Sequence, residues 1–397
     1  MNSRKKISKK AIDIHLQLKE VEETHRQSWM ATDYHQLGMV ALSQRNYEEA
    51  RKYYRKALSI KIERNDRYSH AATYHELGIM TCEQGEYEQA RNYYKKALDI
   101  KIEHNDRYSQ AATYGQLGSL YQKLQDYEQA RKHFEDALAI HIEFGDKRGQ
   151  ALGQHNLGIV AQALRDYEQA RSHYQNALDI RIEYKDRYEQ AASYHQLGMV
   201  AEDLGEYEQA QDHYKKALDI NIEYSDQRRQ AAAYHQLGSV AQALREYKQA
   251  QEHYEKALNF SIKCNDRHSQ ASTRHQLGML AQELREYEQA RRHYQQALDI
   301  YVEYNDRHRQ ARTYGQLGLL ADAQEDYAQA QKNLQQALEI FVEFNDEHRT
   351  GVIVRYLARI YGETQDNSLL TDVAQCLNVT VEEVTQFFNQ LNSESSD

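Results

Sequence analysis

The chain contains no proline among its 397 residues, and it has only three cysteines and one tryptophan. Without proline, and without a stretch rich in glycine and serine, there is no sign of a flexible linker between domains. The cysteines Cys82, Cys264 and Cys376 are far apart and form no CxxC pair. This spacing argues against a disulfide framework or a zinc knuckle, and it favours a reducing compartment.

Long hydrophobic runs and a strong excess of one charge are also missing. No stretch approaches the roughly 20 apolar residues that a membrane-spanning helix needs. The basic residues near the N-terminus, such as Arg4 and Lys10, are not followed by the apolar segment of a signal peptide. The net charge of −10 argues against a general nucleic-acid binder, which would carry a basic face. We therefore expect a cytoplasmic protein that binds neither membranes nor nucleic acid.

The dominant feature of the chain is a repeat of 40 residues, which occurs eight times without slippage from Ala31 to Thr350. Each copy opens with a segment such as ATYHELG at 72–78, passes through DYEQA-type and KKALDI-type blocks, and ends in an ND-type turn. A fixed period of this length predicts a solenoid of stacked supersecondary units. Such a fold forms a continuous surface, so its default role is to bind other molecules.

Within each copy, positions are numbered from 1, so that Ala31 and Ala71 are both position 1. Leu at position 7, Gly at 8, Tyr at 17 and Ala at 20 and 27 are invariant, and position 24 is Tyr except for Phe134 and Leu334. The large residues have helical spacing, and the small ones indicate where two helices cross closely. Asp at position 36 is the expected N-cap of the first helix, and Asn, Asp or Glu at position 16 that of the second, with Glu the poorer cap. These signals predict a first helix from position 37 to position 13 of the next copy, and a second from 17 to 34.

This pattern resembles the tetratricopeptide repeat over about four-fifths of the chain. The first helix of that repeat has an aromatic residue, then Leu-Gly, then an aromatic or small residue, and its second helix has Ala, an aromatic residue and Ala. In the second copy the first helix supplies Tyr74, Leu77, Gly78 and Thr81, and the second helix supplies Ala90, Tyr94 and Ala97. The usual repeat has 34 residues and often ends in proline. The longer form here is similar to the repeats of kinesin light chain, of the spindle adaptor Pins and of bacterial regulatory proteins.

The resemblance implies an all-α solenoid, a right-handed superhelix of stacked antiparallel helix pairs whose first helices line a concave surface. We expect residues 1–30 to contain an amphipathic capping helix, at about 7–28, and residues 31–350 to form eight repeats. Residues 351–397 should form a ninth first helix, two short capping helices at about 368–377 and 381–391, and a short tail.

Candidate binding residues follow the concave stripe of the first helices, mainly at positions 5, 12 and 38. Position 5 is histidine in six copies and glycine in two, at Gly115 and Gly315. Amides can pair with the backbone of an extended peptide, and imidazoles and tyrosines can stack or form hydrogen bonds with it. The predicted peptide-binding residues are His35, His75, His155, His195, His235, His275, Gln122, Gln162, Gln242, Gln282, Tyr68, Tyr108, Tyr188, Arg228, Arg274 and Arg312.

The histidine ladder has three possible roles. A metal site is disfavoured because equivalent residues on stacked helices lie roughly 8–10 Å apart, whereas zinc ligands lie about 2 Å from the ion. We therefore expect no metal and no other cofactor. The histidines either pack structurally against neighbouring residues or contact a ligand. If their pKa stays near 6.5, they will charge together on acidification and make ligand affinity depend on pH.

Catalysis has little support in the sequence. Cys82 follows His75 by seven residues, but no oxyanion turn or orienting acid accompanies the pair. No GxGxxG, P-loop, HExxH or GxSxG motif occurs. The favoured interpretation is a non-enzymatic scaffold that binds a protein or an extended peptide. The alternative is a regulatory sensor whose ligand-dependent curvature controls an ATPase, protease or transcription factor on a separate chain.

Overall fold

The computed structural model describes residues 10–12, 14 and 23–394, and no residue in these ranges belongs to a β-strand. Residues 23–394 form the helices α1 (Glu23–Ser43), α2 (Tyr47–Glu63), α3 (Arg67–Glu83), α4 (Tyr87–Glu103), α5 (Arg107–Lys123), α6 (Tyr127–Glu143), α7 (Lys147–Ala163), α8 (Tyr167–Glu183), α9 (Arg187–Asp203), α10 (Tyr207–Glu223), α11 (Gln227–Ala243), α12 (Tyr247–Lys263), α13 (Arg267–Glu283), α14 (Tyr287–Glu303), α15 (Arg307–Asp322), α16 (Tyr327–Glu343), α17 (Glu347–Thr364), α18 (Asn367–Leu377) and α19 (Val381–Glu394). The prediction of an all-α fold of repeated helix pairs is confirmed.

The chain divides into two compact units, Met1–Leu204 and Gly205–Asp397. In unit 1, four helix pairs follow one another from α1/α2 to α7/α8, and α9 packs on α8. In unit 2, α10 packs on α11, three pairs run from α11/α12 to α15/α16, and α17 to α19 close the C-terminal end. Each unit therefore repeats the same helix pair along its length.

Side-chain caps fix where the helices begin. The first helix predicted at 67–83 matches α3. The aspartate before each first helix accepts a hydrogen bond from the backbone N–H three residues later, which fixes the start of the helix. In all eight copies this bond measures 3.0–3.2 Å. Before the second helices, Asn46, Asp126, Asp166 and Asp326 cap in the same way. The glutamates at this position make no such bond.

The crossing point of each pair lies at the glycine of position 8. A Cβ added at Gly78 would stand 2.5 Å from Cε1 of Tyr94, and one added at Gly278 would stand 2.6 Å from Cδ1 of Tyr294. These tyrosines belong to position 24 and are fully buried. The glycine therefore lets the ring of the second helix lie directly on the first helix, as its predicted packing role requires.

Three helices, α17 to α19, cover the C-terminal end of unit 2. The ninth first helix is α17, whose residues Leu357 and Ala358 are buried in one cluster with Phe388 of α19. The capping box before α19 is present, because Thr380 N–H donates to Glu383 Oε2 at 2.8 Å and Glu383 N–H to Thr380 Oγ1 at 3.2 Å. At the other end, α1 begins at Glu23. Most of the expected capping helix at 7–28, including Leu16, Leu18 and Val21, lies outside the described residues, as does the tail after residue 394.

Candidate binding face of the first helices

The histidines of position 5 lie on the first helices, and five of the six lie beside the tyrosine of position 24 in their own copy. We call the side of the first helices that carries positions 2, 5, 9 and 38 the ladder face. The ring centroids are 5.4–5.8 Å apart in the pairs His35–Tyr54, His75–Tyr94, His155–Tyr174, His235–Tyr254 and His275–Tyr294. His195 is half-buried on α9. The five paired histidines thus occupy equivalent sites.

A chain of hydrogen bonds holds the histidine of the first copy. Lys61 Nζ donates to Thr73 Oγ1 at 2.8 Å and to the carbonyl oxygen of Ser69 at 2.9 Å. Thr73 Oγ1 lies 3.3 Å from His35 Nδ1, so the hydroxyl can donate to a neutral imidazole. The second copy repeats this arrangement with Lys101, Thr113 and His75. Sequence reasoning missed these lysines and threonines, although each recurs at one position of neighbouring copies.

Burial keeps these histidines neutral at physiological pH. Loss of hydration on burial lowers the pKa of His35, His75, His155, His235 and His275 from 6.5 to about 4. The positive charges of Lys61 and Lys101 lower the pKa of the first two further. The hypothesis that the ladder charges near pH 6.5 is therefore wrong for these five residues.

Most of the predicted glutamines of position 12 serve the core. The tyrosine of position 24 donates its hydroxyl proton to the amide oxygen of this glutamine. The distances are 3.2 Å for Tyr174 and Gln162, 3.1 Å for Tyr254 and Gln242, and 2.9 Å for Tyr294 and Gln282. These three amides thus satisfy hydroxyl groups that would otherwise be buried without a partner. Gln122 differs, because the third copy carries Phe134 in place of the tyrosine. Its amide therefore has no position-24 hydroxyl group of its own copy to accept from.

The tyrosines of position 38 frame a cavity in unit 1. Tyr68 donates to Asp106 Oδ2 at 2.6 Å, and Tyr108 to Asp146 Oδ2 at 3.2 Å. Both rings are exposed, and together with His75 they line a cavity of about 440 Å³ between α3 and α5. Tyr188, on α9, is half-buried. The structure therefore brings together two of the predicted tyrosines with one predicted histidine.

The three predicted arginines do not form one group. Arg312 occupies repeat position 2 of the eighth copy, on the ladder face of α15, and lines a cavity in unit 2. Arg228 is exposed in the first turn of α11. Arg274 occupies position 4, about 100° around the helix from position 5, and donates to Gln296 Oε1 of α14. Arg274 thus faces the second helix of its copy, which corrects its predicted place on the binding stripe.

Cavities open where glycine interrupts the ladder. In unit 1, Gly115 lines a cavity of about 620 Å³ together with Phe134 and Leu152, and no atom lies within 4 Å of the place of its missing Cβ. In unit 2, Gly315 lines a cavity of about 320 Å³. Both volumes fall in the range of about 300–1,000 Å³ that is usual for ligand sites. The sequence showed the gaps, but the cavities became visible only with the neighbouring side chains in place.

Among the described residues, no three His, Cys, Asp or Glu side chains are grouped closely enough to hold a metal ion. Cys82 is buried and accepts a hydrogen bond from Lys123 Nζ at 3.6 Å. Within the part of the chain that the structure describes, no helix is both long and apolar enough to span a membrane.

Repeated helix pairs that stack along the chain define the class of helical-repeat proteins. The chain belongs to the tetratricopeptide repeat family, whose model matches the range 29–103 and five further ranges, 109–183, 149–223, 189–263, 229–303 and 269–343, of which consecutive ones overlap. A sequence comparison with curated proteins finds no match.

Solved structures with a similar fold share little sequence with this chain. Aspartyl phosphate phosphatase F from Bacillus subtilis has a TM-score of 0.61 at 16% identity, over 85% of this chain and 87% of that one. The apo form of the quorum sensor NprR from B. thuringiensis has a TM-score of 0.61 at 12% identity, over 86% and 98%. The STAND protein PH0952 from Pyrococcus horikoshii, described as having a tetratricopeptide repeat sensor, has a TM-score of 0.61 at 16% identity, over 89% and 55%. At these identities the likeness shows the fold alone.

Proposed function

We propose that the protein is a non-enzymatic scaffold that binds an extended segment of a partner protein along the ladder face. The observation that carries this proposal is the placement of the cavities. Three cavities, of about 440 and 620 Å³ in unit 1 and of about 320 Å³ in unit 2, lie beside first helices and contain ladder positions. Another cavity, of about 580 Å³, lies away from this face between α16 and α18. Repeated cavities with apolar walls and polar rims suit the alternating side chains of an extended peptide.

Panning a phage-displayed library of random peptides against the full chain tests the proposal. The alanines of position 2, Ala112 and Ala232, are exposed on the ladder face. We expect Ala112→Trp combined with Ala232→Trp to block the selected peptides without disturbing the core. The matched control is Ala139→Trp combined with Asn259→Trp, which adds two indoles at exposed sites of the second helices. Equal binding by both double variants, or no selected peptide at all, would refute the proposal.

A regulatory sensor is the second candidate. Two of the similar structures carry the word sensor in their descriptions. A sensor would also bind its ligand on the ladder face, so the two functions differ in what binding does to the chain. Small-angle scattering with and without a selected peptide separates them. A change in the radius of gyration at saturation favours the sensor, and an unchanged curve favours the scaffold.

A further inference from the structure

In the eighth copy, apolar residues stand where the first two copies have a chain of hydrogen-bonded side chains. In those copies the chain runs from lysine at position 31 through threonine at position 3 of the following copy to the histidine of position 5. In the eighth copy the same three positions hold Phe341, Ile353 and Gly315. Glycine removes the side chain that fills the site elsewhere, and the other two substitutions remove its hydrogen-bonding groups. The site is thereby both emptied and made apolar.

Side chains from four helices enclose the resulting cavity of about 320 Å³. Phe341 of α16 and Ile353 of α17 are 2% and 5% exposed, so they form the buried walls of the cavity. Met279 of α13 and Leu319 of α15 add further apolar surface. The cavity can therefore bury a bulky aliphatic or aromatic side chain, which contributes roughly 1.5–3 kcal/mol when it is fully buried.

The rim of this cavity is cationic. Arg312 is exposed, and among the described residues it forms no hydrogen bond or ion pair. Arg349 is held in place by Asp346 and lies over the Phe341 ring, 5.9 Å from its centroid. No aspartate or glutamate lines the cavity. A free guanidinium above an apolar pocket is complementary to a carboxylate next to an apolar side chain.

The cavity at Gly115 provides the contrast within the same chain. Apart from His141, its lining contains one acidic and one basic residue, Asp146 and Arg148, so it has no excess of arginine over aspartate. The cavity between Tyr68 and Tyr108 is lined by the acidic residues Glu76 and Asp106 and by one lysine. The cationic rim is therefore a property of the Gly315 cavity and not of the ladder face in general.

We propose that the Gly315 cavity is a specificity pocket for a partner segment that carries a bulky apolar residue next to an acidic one. The apolar side chain enters between Phe341 and Ile353, and the carboxylate pairs with Arg312. This proposal rests on the proposed function, since it names the kind of segment that the ladder face binds. It assigns recognition to a gap in the histidine ladder rather than to the histidines themselves.

An array of short acetylated and amidated peptides tests this pocket. The peptides consist of glycine and serine around two variable central residues, so neither terminus carries a charge. We expect the full chain to bind most strongly to pairs of Phe, Leu, Ile or Met with Asp or Glu. Arg312→Gln should weaken binding of these pairs by about tenfold and abolish the preference for Glu over Gln, because a charged hydrogen bond is lost.

Filling the pocket gives the second arm of the test. Gly315→Leu should abolish the preference for a bulky residue over alanine. Gly315→Ala is a gentler variant that keeps the fold, because its Cβ would meet Ile353 Cδ1 at an ordinary 3.6 Å. The matched controls are Gly351→Leu, at a glycine whose missing Cβ would meet nothing within 4 Å, and Arg285→Gln, which removes an exposed arginine outside the cavity and outside the predicted binding residues. Both should bind like the wild type.

The outcomes separate this inference from the proposed function. If the array shows no preference for apolar–acidic pairs, or if the preference survives both Arg312→Gln and Gly315→Leu, the pocket has been assigned wrongly. Phage-selected peptides that the double tryptophan variant on the ladder face blocks would then still support the scaffold. If those peptides also fail to bind the ladder face, the proposed function falls as well.

Discussion

Protonation of the buried ladder histidines should destabilise each unit as the pH falls. In the unfolded chain a histidine has a pKa near 6.5, whereas burial lowers the pKa of His155 to about 4. The unfolded state therefore binds more protons between these two values. Stability is fully present above pH 6.5 and is lost as the pH falls toward 4.

The size of this effect follows from the two pKa values. From pH 7.5 to 5.5, one such histidine lowers the free energy of unfolding by about 1.3 kcal/mol. The result changes little if the folded pKa is 5 rather than 4, since the histidine stays neutral at pH 5.5 in both cases. Unit 1 contains three of these residues, His35, His75 and His155, which together should lower its free energy of unfolding by about 4 kcal/mol. Unit 2 contains His235 and His275 and should lose about 2.6 kcal/mol.

Replacing one histidine isolates its contribution. His155→Gln is the cleanest choice, because His155 Nδ1 has no hydrogen-bond partner among the described residues. Between pH 7.5 and 5.5 this variant should lose about 1.3 kcal/mol less than the wild type, or about half a molar in the urea midpoint. Urea unfolding followed by circular dichroism at both pH values measures the difference.

The control is His104→Gln, which removes an imidazole from an exposed site of unit 1. It should keep the pH dependence of the wild type. If His155→Gln also keeps it, the buried histidines do not titrate as their packing implies. The explanation for their neutral state would then be wrong.

Further substitutions test the packing within the helix pairs by urea unfolding. Gly278→Ala should destabilise unit 2 by about 1–3 kcal/mol, because its Cβ would meet a buried tyrosine ring. Gly351→Ala should stabilise unit 2 by about 0.5–1 kcal/mol, because alanine has the higher helix propensity. Tyr254→Phe should cost about 1 kcal/mol by removing a hydrogen bond from a buried site, but Tyr94→Phe should cost nothing, since its hydroxyl has no partner among the described residues. Asp266→Ala should cost about 1 kcal/mol through loss of the N-cap. The packing described would be contradicted if the two glycine variants had equal effects, if the two tyrosine variants had equal effects, or if Asp266→Ala left the stability unchanged.

The regular period explains why the helix bounds could be predicted from the sequence. Each boundary signal occurs eight times, so a cap such as Asp66 or a crossing glycine such as Gly78 is recognised by repetition. The turns were harder to predict. Asn65 and Lys185, which precede the N-cap aspartates, adopt positive φ values of 53° and 63°. The residue type at this position varies between copies, so it does not predict the left-handed conformation.

The binding face was predicted less completely, because its chemistry depends on contacts between different copies. Gln162 looked available in the sequence, but a core tyrosine uses its amide. His75 looked ready to titrate, but burial and Lys101 keep it neutral. The Gly315 cavity depends on Phe341 and Ile353, which come from two other helices. A helical period predicts which residues share a face, but it does not predict which partners they find there.

The most direct test of the central claim is to map a bound peptide on the full chain. Hydrogen exchange measured by mass spectrometry, with and without a phage-selected peptide at saturation, reports which helices are protected. Binding along the ladder face should slow exchange in first helices such as α5 and α15 more than in second helices such as α6 and α16. Protection confined to the second helices would contradict the assignment of the ladder face as the binding surface.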